Sequence, residues 1–420
     1  MDRLPDVAEA LRGAARRFGT PLVVTDVAAL DAAAAEVRAA FPDPWLRLFS
    51  VKANDVGAIV RLVAARGFGA NVVSRGEWAV VRRAGVEDSD VTYEGIGKSD
   101  ADLRAALASV HAGAPIRWLA IESGDEARAL VRLARRRADG GRLDVLFRLN
   151  PAVTPETDHR LAVGAAASKF GMTETELTEA VRVVARSPGL RARGIHLHVG
   201  SQLGAIDAFR DGVRRALALL ALLRGGDPDF DTLDVGGGFP VVPPDETAPG
   251  PERFAREIGP LIEALPADRR PARLAIEPGR ALVARAGLLV ARVLHVRVRD
   301  GRQVVLDAGM TELIRPALYG GRHPVLALTS LGRAVVPAAI GPRHAPTHVE
   351  GPICESTDHL GSHPLPPLRR GDLVVIRDAG AYAASLASTY NGRPRPPQVL
   401  LEPDGRLVLA RRRGSLSGLG

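Results

Sequence analysis

The sequence predicts an α/β protein with a (β/α)8 barrel and a C-terminal domain that is a β-sandwich or a β-barrel. Strand-like and helix-like segments alternate about eight times between residues 28 and 285, the number of units in such a barrel. After residue 285, short alternating apolar runs are separated by glycine and proline turns, a pattern typical of an all-β domain. We therefore assign the barrel to residues 28–285 and the β domain to residues 286–420, joined by an N-terminal segment, 1–27.

The barrel strands are predicted from short runs of branched apolar residues, and the helices from the alanine-rich stretches between them. These strands are 46–51, 69–73, 91–93, 118–121, 145–149, 194–199, 232–235 and 274–276. The helices include 55–66, 75–84, 125–138, 173–186 and 208–223. The strands of the β domain are 288–298, 303–306, 373–377, 398–401 and 407–409. We assign the proline-bearing strand 20–25 to this second domain, and the proline-rich stretch 243–251 to a loop.

Composition excludes several classes of protein. The 420 residues are 46% hydrophobic but contain no apolar run of the roughly 18 residues that a membrane span needs. Residues 1–17 lack the long apolar centre of a signal peptide. The single cysteine, Cys354, rules out an intrachain disulfide framework and suits a reducing compartment, so we expect a cytoplasmic protein. The net charge of +8 is scattered among acids, without a basic block and stacking aromatics, so nucleic acid is not an expected partner.

Lys52 is the first candidate for chemistry, because lysine is rare in this chain. Three lysines occur against fifty-three arginines, and Lys52 ends an apolar predicted strand. A buried ammonium group is costly unless it is paired or loses its proton. A neutral lysine amine is the form that makes a Schiff base with a carbonyl compound. The alternative is a surface lysine whose aliphatic stem covers the end of the strand.

Two histidines end a later barrel strand, at the end of the barrel where such enzymes place their catalytic residues. Alternation puts His196 and His198 on one face of the strand, pointing inward. Paired histidines suggest a metal, but no third ligand lies near them in the sequence and Cys354 is far away, so we expect no metal. Either a flat ring lies beside a cofactor, or a histidine is hydrogen-bonded in the core.

Glycines and a glutamate follow the next two predicted strands. Gly236, Gly237 and Gly238 expose backbone N–H groups that suit a phosphate, although a tight turn would also use them. Glu277 can hold a protonated ring nitrogen while Arg280 takes a phosphate or a carboxylate. The alternative for this pair is an ordinary exposed turn.

Ten short motifs recur in the order and at the spacing of one family. They are VKAN at 51–54, VSRGE at 73–77, SKFG at 168–171, HVGSQ at 198–202, GGG at 236–238, EPGR at 277–280, LIRPALY at 313–319, GPICES at 351–356, GAY at 380–382 and YNGRP at 390–394. Nearly the whole chain thereby resembles the fold-type III pyridoxal-phosphate-dependent decarboxylases, which have an alanine-racemase-like barrel. Within them it is most similar to the diaminopimelate decarboxylases.

The resemblance implies a role for each site residue. Lys52 would carry pyridoxal 5'-phosphate covalently, His198 would stack on its ring, and Glu277 would hold the ring nitrogen. The remaining cofactor contacts would be Ser201, Gly237, Gly238, Gly279, Arg280 and Tyr382. The substrate contacts would be Arg280, Arg315, Tyr319, Glu355 and Tyr382. Cys354 would act as proton donor from a second subunit, so the resemblance also implies a homodimer with shared active sites.

The implied reaction is the decarboxylation of meso-diaminopimelate to L-lysine and CO2. Arg315 and Tyr319 suit a distal carboxylate, and Glu355 suits a distal ammonium group. Asn71 stands where an acidic residue is usual in the family, and Gln398 replaces a common glutamate. These departures leave open a decarboxylase of a secondary pathway that acts on a related or carrier-bound amino acid. An amino-acid racemase and a non-catalytic pyridoxal-phosphate-binding protein are the weaker alternatives.

Overall fold

The fold consists of two compact units, which we call the barrel unit and the sheet unit. The barrel unit contains Ala34–Val242 and Thr247–Ala281, and the sheet unit contains Met1–Ala33, Pro243–Glu246 and Leu282–Gly420. The computed structural model describes residues 3–135, 141–154, 156–157, 160, 162–165, 168–299, 301–337 and 345–418.

The helices and strands are numbered in chain order. The helices are α1 (Leu4–Phe18), α2 (Val27–Ala40), α3 (Gly57–Ala64), α4 (Arg75–Arg83), α5 (Asp100–His111), α6 (Gly124–Ala134), α7 (Glu174–Ala185), α8 (Asp207–Arg224), α9 (Pro251–Glu263), α10 (Arg280–Val283) and α11 (Arg315–Tyr319). The strands are β1 (Leu22–Asp26), β2 (Leu46–Ser50), β3 (Gly69–Val72), β4 (Val91–Tyr93), β5 (Trp118–Ile121), β6 (Leu143–Leu149), β7 (Leu190–Leu197), β8 (Thr232–Asp234), β9 (Arg273–Ile276), β10 (Gly287–Val298), β11 (Arg302–Leu306), β12 (Val325–Ala327), β13 (Thr329–Ser330), β14 (Arg333–Ala334), β15 (Pro346–Glu350), β16 (His359–Pro364), β17 (Leu373–Ile376), β18 (Gln398–Leu401) and β19 (Leu407–Arg411).

The barrel unit is a closed ring of eight parallel strands, β2 to β9, in which β2 pairs with β9. Its core includes Leu48, Trp118, Ala120, Leu146 and Ala275, all from barrel strands. In a parallel barrel every strand finishes at the same rim, so residues that follow different strands meet there. The predicted fold class is confirmed.

Several strands stop one or two residues earlier than predicted, and two of these differences concern the site. We expected strands at 46–51 and 194–199, but β2 ends at Ser50 and β7 ends at Leu197. Lys52 therefore lies in a short 3₁₀ turn, Val51–Ala53, and His198 lies just beyond its strand. Both residues therefore lie just beyond the hydrogen-bonded part of their strands, at the rim, where strand pairing no longer fixes the direction of the backbone.

The sheet unit is built on one nine-stranded mixed sheet around the long strand β10. The first half of β10 pairs with β1 on one edge and with β17 on the other, and its second half pairs with β11. The outer strands complete the order β16-β15-β11-β10-β1-β18-β19, with β12 beside β17. The N-terminal strand thus joins the sheet of the C-terminal segment, as predicted.

Alternating side chains give this sheet two apolar faces. Leu22 and Val24 of β1 pack on one face, together with Leu11 of α1, while Val23 packs on the other. The amphipathic N-terminal stretch is therefore a structural helix that covers the sheet.

The proline-rich stretch is a loop up to Gly250, as predicted, but Pro251 begins α9, where its missing N–H costs nothing. In the part of the chain that the structure describes, we find no helix with the length and apolarity to cross a membrane.

Candidate active site

Four predicted site segments meet at the rim of the barrel. Lys52 follows β2 and is partly buried, and Glu277 follows β9 directly. The two segments are tied together, because Ser50 donates its hydroxyl to the Glu277 carbonyl oxygen at 3.1 Å and its amide to the Pro278 carbonyl oxygen at 3.2 Å. Gly279 allows this contact, since a Cβ there would lie 3.0 Å from the Cβ of Ser50.

The three glycines after β8 allow the loop to pack closely against its neighbours. A Cβ on Gly236 would lie 2.3 Å from the Leu197 carbonyl oxygen, and one on Gly237 would lie 2.3 Å from the Glu277 carbonyl oxygen. Gly236 and Gly238 also have positive φ angles of 70° and 108°. Any side chain here would push the end of β8 away from the ends of β7 and β9.

Two of the three glycine amides already have a hydrogen-bond acceptor within the protein. Gly236 donates its N–H to Asp234 Oδ1 at 2.9 Å, and Gly237 donates its N–H to His198 Nδ1 at 3.2 Å. Among the residues described, only the Gly238 amide of the three has no acceptor. The bond from Gly237 also fixes the ring of His198, because Nδ1 must then be the unprotonated nitrogen.

A buried acidic cluster lies below this rim, and the sequence analysis missed most of it. Glu277 is 3% exposed, and its Oε1 accepts a hydrogen bond of 2.7 Å from Nδ2 of Asn71. His196 Nε2 lies 3.5 Å from Glu277 Oε2 and 3.2 Å from Glu94 Oε2, without the alignment of a hydrogen bond. Asp234 is buried beside them. The sequence did contain an indication of Glu94, because Glu94 follows β4 directly, just as Glu277 follows β9.

The fold brings two further possible metal ligands beside His196, although none lies near it in the sequence. Donor atoms of Glu94, His196 and Glu277 all lie within 4.8 Å of one another. They come from residues about 100 positions apart in the chain, so only closure of the barrel brings them together. The expectation of a site without metal remains a prediction.

Burial sets the protonation of this cluster. It raises the pKa of Glu94 to about 8, with further help from the neighbouring Glu277, and it lowers the pKa of His196 to about 4. The pKa of Asp234 is raised well above its ordinary value for the same reasons. The pKa of His198 is well below its ordinary value because of burial and the nearby charge of Lys52. Near pH 7 both histidines and Glu94 are therefore uncharged.

Arg280 and Ser201 form a polar pair at the same rim. Arg280 is buried at the start of α10, and its Nη2 donates to Ser201 Oγ at 3.0 Å. The structure thus brings together two residues that the sequence analysis grouped as cofactor contacts. A guanidinium beside a hydroxyl is a suitable site for an anionic group.

The sheet unit holds the remaining predicted site residues. Arg315 is buried on α11 with its guanidinium carbon 5.6 Å from the centre of the Tyr319 ring. Cys354 is exposed in the loop between β15 and β16. Glu355 Oε1 accepts a hydrogen bond of 2.7 Å from the hydroxyl of Tyr390, a partner that the sequence analysis did not identify.

Tyr382 has an uncommon backbone conformation. Its φ of 59° lies in the left-handed region, which residues other than glycine rarely adopt. Such conformations cost free energy and are enriched at functional sites. The ring is partly exposed, so it remains accessible to a ligand.

Comparison with known proteins gives the class to which this site belongs. Residues 27–284 match the family model described as "Pyridoxal-dependent decarboxylase, pyridoxal binding domain". The chain therefore belongs to the pyridoxal-dependent decarboxylases, which are carboxy-lyases that use pyridoxal phosphate. The predicted cofactor and reaction class are confirmed.

The relatives are diaminopimelate decarboxylases. The enzyme of that name from Neisseria meningitidis serogroup A is 36% identical over 400 residues, 95% of this chain and 93% of the relative. The one from Deinococcus radiodurans is 37% identical over 405 residues, 96% of each chain. The crystal structure of diaminopimelate decarboxylase from Helicobacter pylori complexed with L-lysine has a TM-score of 0.87 at 28% identity, covering 97% of this chain and 98% of that one.

The rim fits the cofactor of this family. Glu94 Oε1, Asn71 Oδ1 and Asp234 Oδ2 are buried without a hydrogen-bond partner among the described residues, so the pocket contains buried oxygen atoms that a ligand N–H can satisfy. The Arg280–Ser201 pair and the Gly238 amide suit a phosphate. Lys52, which follows β2 at the same rim and is partly buried, provides an amine.

The neutral state of Glu94 makes the stability of the cofactor-free protein depend on pH. Between its ordinary pKa of 4.5 and its folded pKa of about 8, the folded chain keeps a proton that the unfolded chain has lost. The stabilisation from this proton is complete below pH 4.5 and is lost as the pH rises through 8. His196 has the opposite effect on stability, because its lowered pKa makes the folded protein more stable as the pH rises. This effect is confined to the range between its folded pKa of about 4 and its ordinary pKa of 6.5. In the interval from pH 6.5 to 8, His196 therefore no longer contributes to the pH dependence.

Glu94→Gln removes this titration and keeps the shape of the side chain. Relative to the variant, we expect the wild type to lose up to about 1.4 kcal/mol of unfolding free energy per pH unit between pH 6.5 and 8. Urea unfolding of the cofactor-free proteins measures the difference, and Glu87→Gln, at an exposed glutamate, is the control. A difference between wild type and Glu94→Gln that stays constant with pH would show that Glu94 is already ionised.

Proposed function

We propose that this protein converts meso-diaminopimelate to L-lysine and CO2, with pyridoxal 5'-phosphate bound through Lys52. The main support is the combination at one rim of a partly buried lysine, a buried glutamate and an arginine–serine pair, in a chain alike over its length to diaminopimelate decarboxylases. When bound, the cofactor supplies an electron sink for the charge that remains on the substrate carbon as CO2 leaves.

The residues of the barrel unit bind and tune the cofactor in this proposal. Glu277 holds the proton on the ring nitrogen, and Asn71 keeps the carboxylate in place through its hydrogen bond of 2.7 Å. His198, which the Gly237 amide orients and which is uncharged, would contact the cofactor ring. Arg280, Ser201, Gly238 and Gly279 surround the phosphate.

The presence of Asn71, in place of the family's usual acid, is not evidence for a different substrate. It stands where the family usually has an acid, but it donates directly to Glu277, which an ionised acid could not do. The departure therefore leaves the support of Glu277 intact. For this reason we favour diaminopimelate over the substrates of a secondary pathway.

The residues of the sheet unit recognise the substrate in this proposal. Arg315 and Tyr319 bind the distal carboxylate, Glu355 binds the distal ammonium group, and Tyr382 contacts both cofactor and substrate. Tyr390 keeps Glu355 oriented through its hydroxyl. Arg280 completes the set of substrate contacts.

We also propose that the protein is a cytoplasmic homodimer with shared active sites. Cys354 then delivers a proton to the substrate carbon of the other subunit after CO2 has left. Its exposure and its position in a loop support a role at a subunit boundary. The lone cysteine fits a reducing compartment.

Lys52 is the residue that we expect to carry the cofactor. Borohydride reduction of the holoenzyme should fix the cofactor on the peptide that contains Lys52, as mass spectrometry will show. Lys52→Ala should lower turnover by orders of magnitude, because both the covalent link and the amine that moves protons are lost. Lys169→Ala, at an exposed lysine, should leave the labelling unchanged. Cofactor fixed on Lys98 or Lys169 in the wild type would contradict the assignment.

Shared active sites predict complementation between two inactive variants. Lys52→Ala and Cys354→Ala should each be nearly inactive, but a heterodimer of the two has one intact site. A random mixture should recover up to roughly a quarter of wild-type activity, since about half of the dimers are mixed and each has one working site of two. Subunit exchange is verified with differently tagged chains. If exchange occurs and no activity returns, the two residues serve the same chain.

Arg315 should determine whether a distal carboxylate is required. Arg315→Ala removes a charged hydrogen-bond donor, which should cost roughly 2–4 kcal/mol, or about 30- to 1000-fold in kcat/KM, for meso-diaminopimelate. Lysine and ornithine have no carboxylate at that end and should lose much less. Glu355→Ala is the comparison, because it should weaken all three diamines alike. An equal loss for all substrates in Arg315→Ala would make Arg315 a structural residue.

A further inference from the structure

His323 lies in the sheet unit, outside every motif that the sequence analysis identified, and it contacts Arg315. The side chain is 2% exposed. Its Nε2 lies 2.8 Å from Nη1 of Arg315, and its Nδ1 lies 2.9 Å from the carbonyl oxygen of Arg377. A buried histidine therefore connects a proposed substrate-binding residue to the backbone of the sheet.

The two neighbours determine the protonation of the ring. A carbonyl oxygen can only accept a hydrogen bond, so Nδ1 must carry the hydrogen that faces Arg377. A guanidinium can only donate, so Nε2 must present a lone pair to Arg315. Together these contacts select one form of His323, the neutral Nδ1–H tautomer.

The backbone holds His323 at this position. Gly320 adopts a left-handed conformation with φ of 66° after α11, and Gly321 donates its N–H back to the Arg315 carbonyl oxygen at 3.1 Å. This reversal brings His323 beside a residue eight positions earlier. On the other side, the Arg377 amide donates to the Pro324 carbonyl oxygen at 2.9 Å, at the end of the β12–β17 ladder.

Arg315 has no acidic partner among the described residues. It is 7% exposed, and a buried guanidinium is ordinarily paired with a carboxylate. In the described ranges of the chain, Arg315 forms no ion pair, and its Nε is buried without an acceptor. A neutral imidazole orients the guanidinium without cancelling its charge, so an anionic ligand can still complete the site.

We propose that His323 sets substrate specificity by positioning Arg315 for the distal carboxylate of the substrate while leaving the charge of Arg315 available. This inference rests on the proposed function, because meso-diaminopimelate has that carboxylate and ornithine does not. His323 does not contact the reacting atoms, so it is a positioning residue. A carboxylate in its place would hold Arg315 equally well but would cancel the charge.

The experiment compares His323→Gln with His323→Glu in the holoenzyme. Both side chains can place an oxygen near the position of Nε2, and they differ only in charge. Calorimetry measures the Kd of L-lysine bound as the reaction product, with its amino-acid end in the distal position, and of cadaverine, which lacks the carboxylate. We expect His323→Glu to weaken L-lysine at least tenfold more than His323→Gln does, with cadaverine changed by less than about threefold in both.

Two controls separate charge placement from general damage. His295→Glu makes the same charge change at an exposed site of the same unit and should leave both dissociation constants unchanged. Cofactor content and thermal midpoint establish that each variant is folded. Equal L-lysine affinity in the Gln and Glu variants would overturn the proposal. Equal weakening of L-lysine and cadaverine in His323→Glu would overturn it too, since His323 would then be structural.

The tautomer gives a test that does not depend on the substrate. Long-range ¹⁵N NMR of histidine-labelled holoenzyme at pH 7, with the His323 signal assigned by its loss in His323→Gln, should show a neutral Nδ1–H ring. A protonated ring or the Nε2–H form would overturn the inference whatever the substrate is. If the tautomer is as expected but the wild type binds L-lysine no more tightly than cadaverine, the proposed function fails instead.

Discussion

The carboxylate of Glu277 is buried in the barrel wall, and the arrangement around it follows from the cost of keeping it there. A buried carboxylate needs hydrogen-bond donors, and the described donor to its side chain is Asn71. The neighbouring side chains Glu94 and His196 are uncharged near pH 7, because burial keeps Glu94 protonated and His196 unprotonated. The cluster therefore suits one incoming N–H with a positive charge, which a protonated pyridine ring provides.

The sheet unit shows the opposite electrostatic arrangement. There a buried guanidinium, Arg315, is held by a neutral acceptor, His323, and among the described residues no acid balances it. Among the described residues, the side-chain hydrogen-bond partners of Glu277 and Arg315 are thus neutral, Asn71 and His323, and they orient these groups without adding an opposite charge. A cofactor with a ring N–H suits the first charge, and an amino acid with a second carboxylate suits the other, so the two observations support the same reaction from independent parts of the chain.

Residues at strand ends could be predicted from the sequence, while their partners could not. Lys52, His198 and Glu277 were identified because a strand pattern is local and the parallel barrel places all strand ends at one rim. Glu94 was missed although it follows β4, because its importance depends on lying beside β7 and β9 across the closed ring. The glycine run was recognised, but its amides at 236 and 237 bond to Asp234 and His198, which no spacing rule indicates.

The same limit applies in the sheet unit. The motifs there singled out Arg315, Glu355 and Tyr382, yet His323 and the role of Tyr390 depend on a chain reversal and on side-chain directions that a linear motif does not contain. Predicted boundaries were wrong by a few residues where the backbone leaves the ladder, as at β2 and β7. Those positions are where the site residues turn toward the ligand, and tertiary contacts outweigh local propensity there.

The most direct test of the central claim is a CO2-release assay of the purified, cofactor-loaded protein with meso-diaminopimelate, lysine, ornithine and arginine as separate substrates. We expect kcat/KM for meso-diaminopimelate to exceed that of each other substrate by at least about 30-fold, the lower bound expected for one buried charged contact. Release of CO2 from lysine, ornithine or arginine at an equal or greater kcat/KM would contradict it.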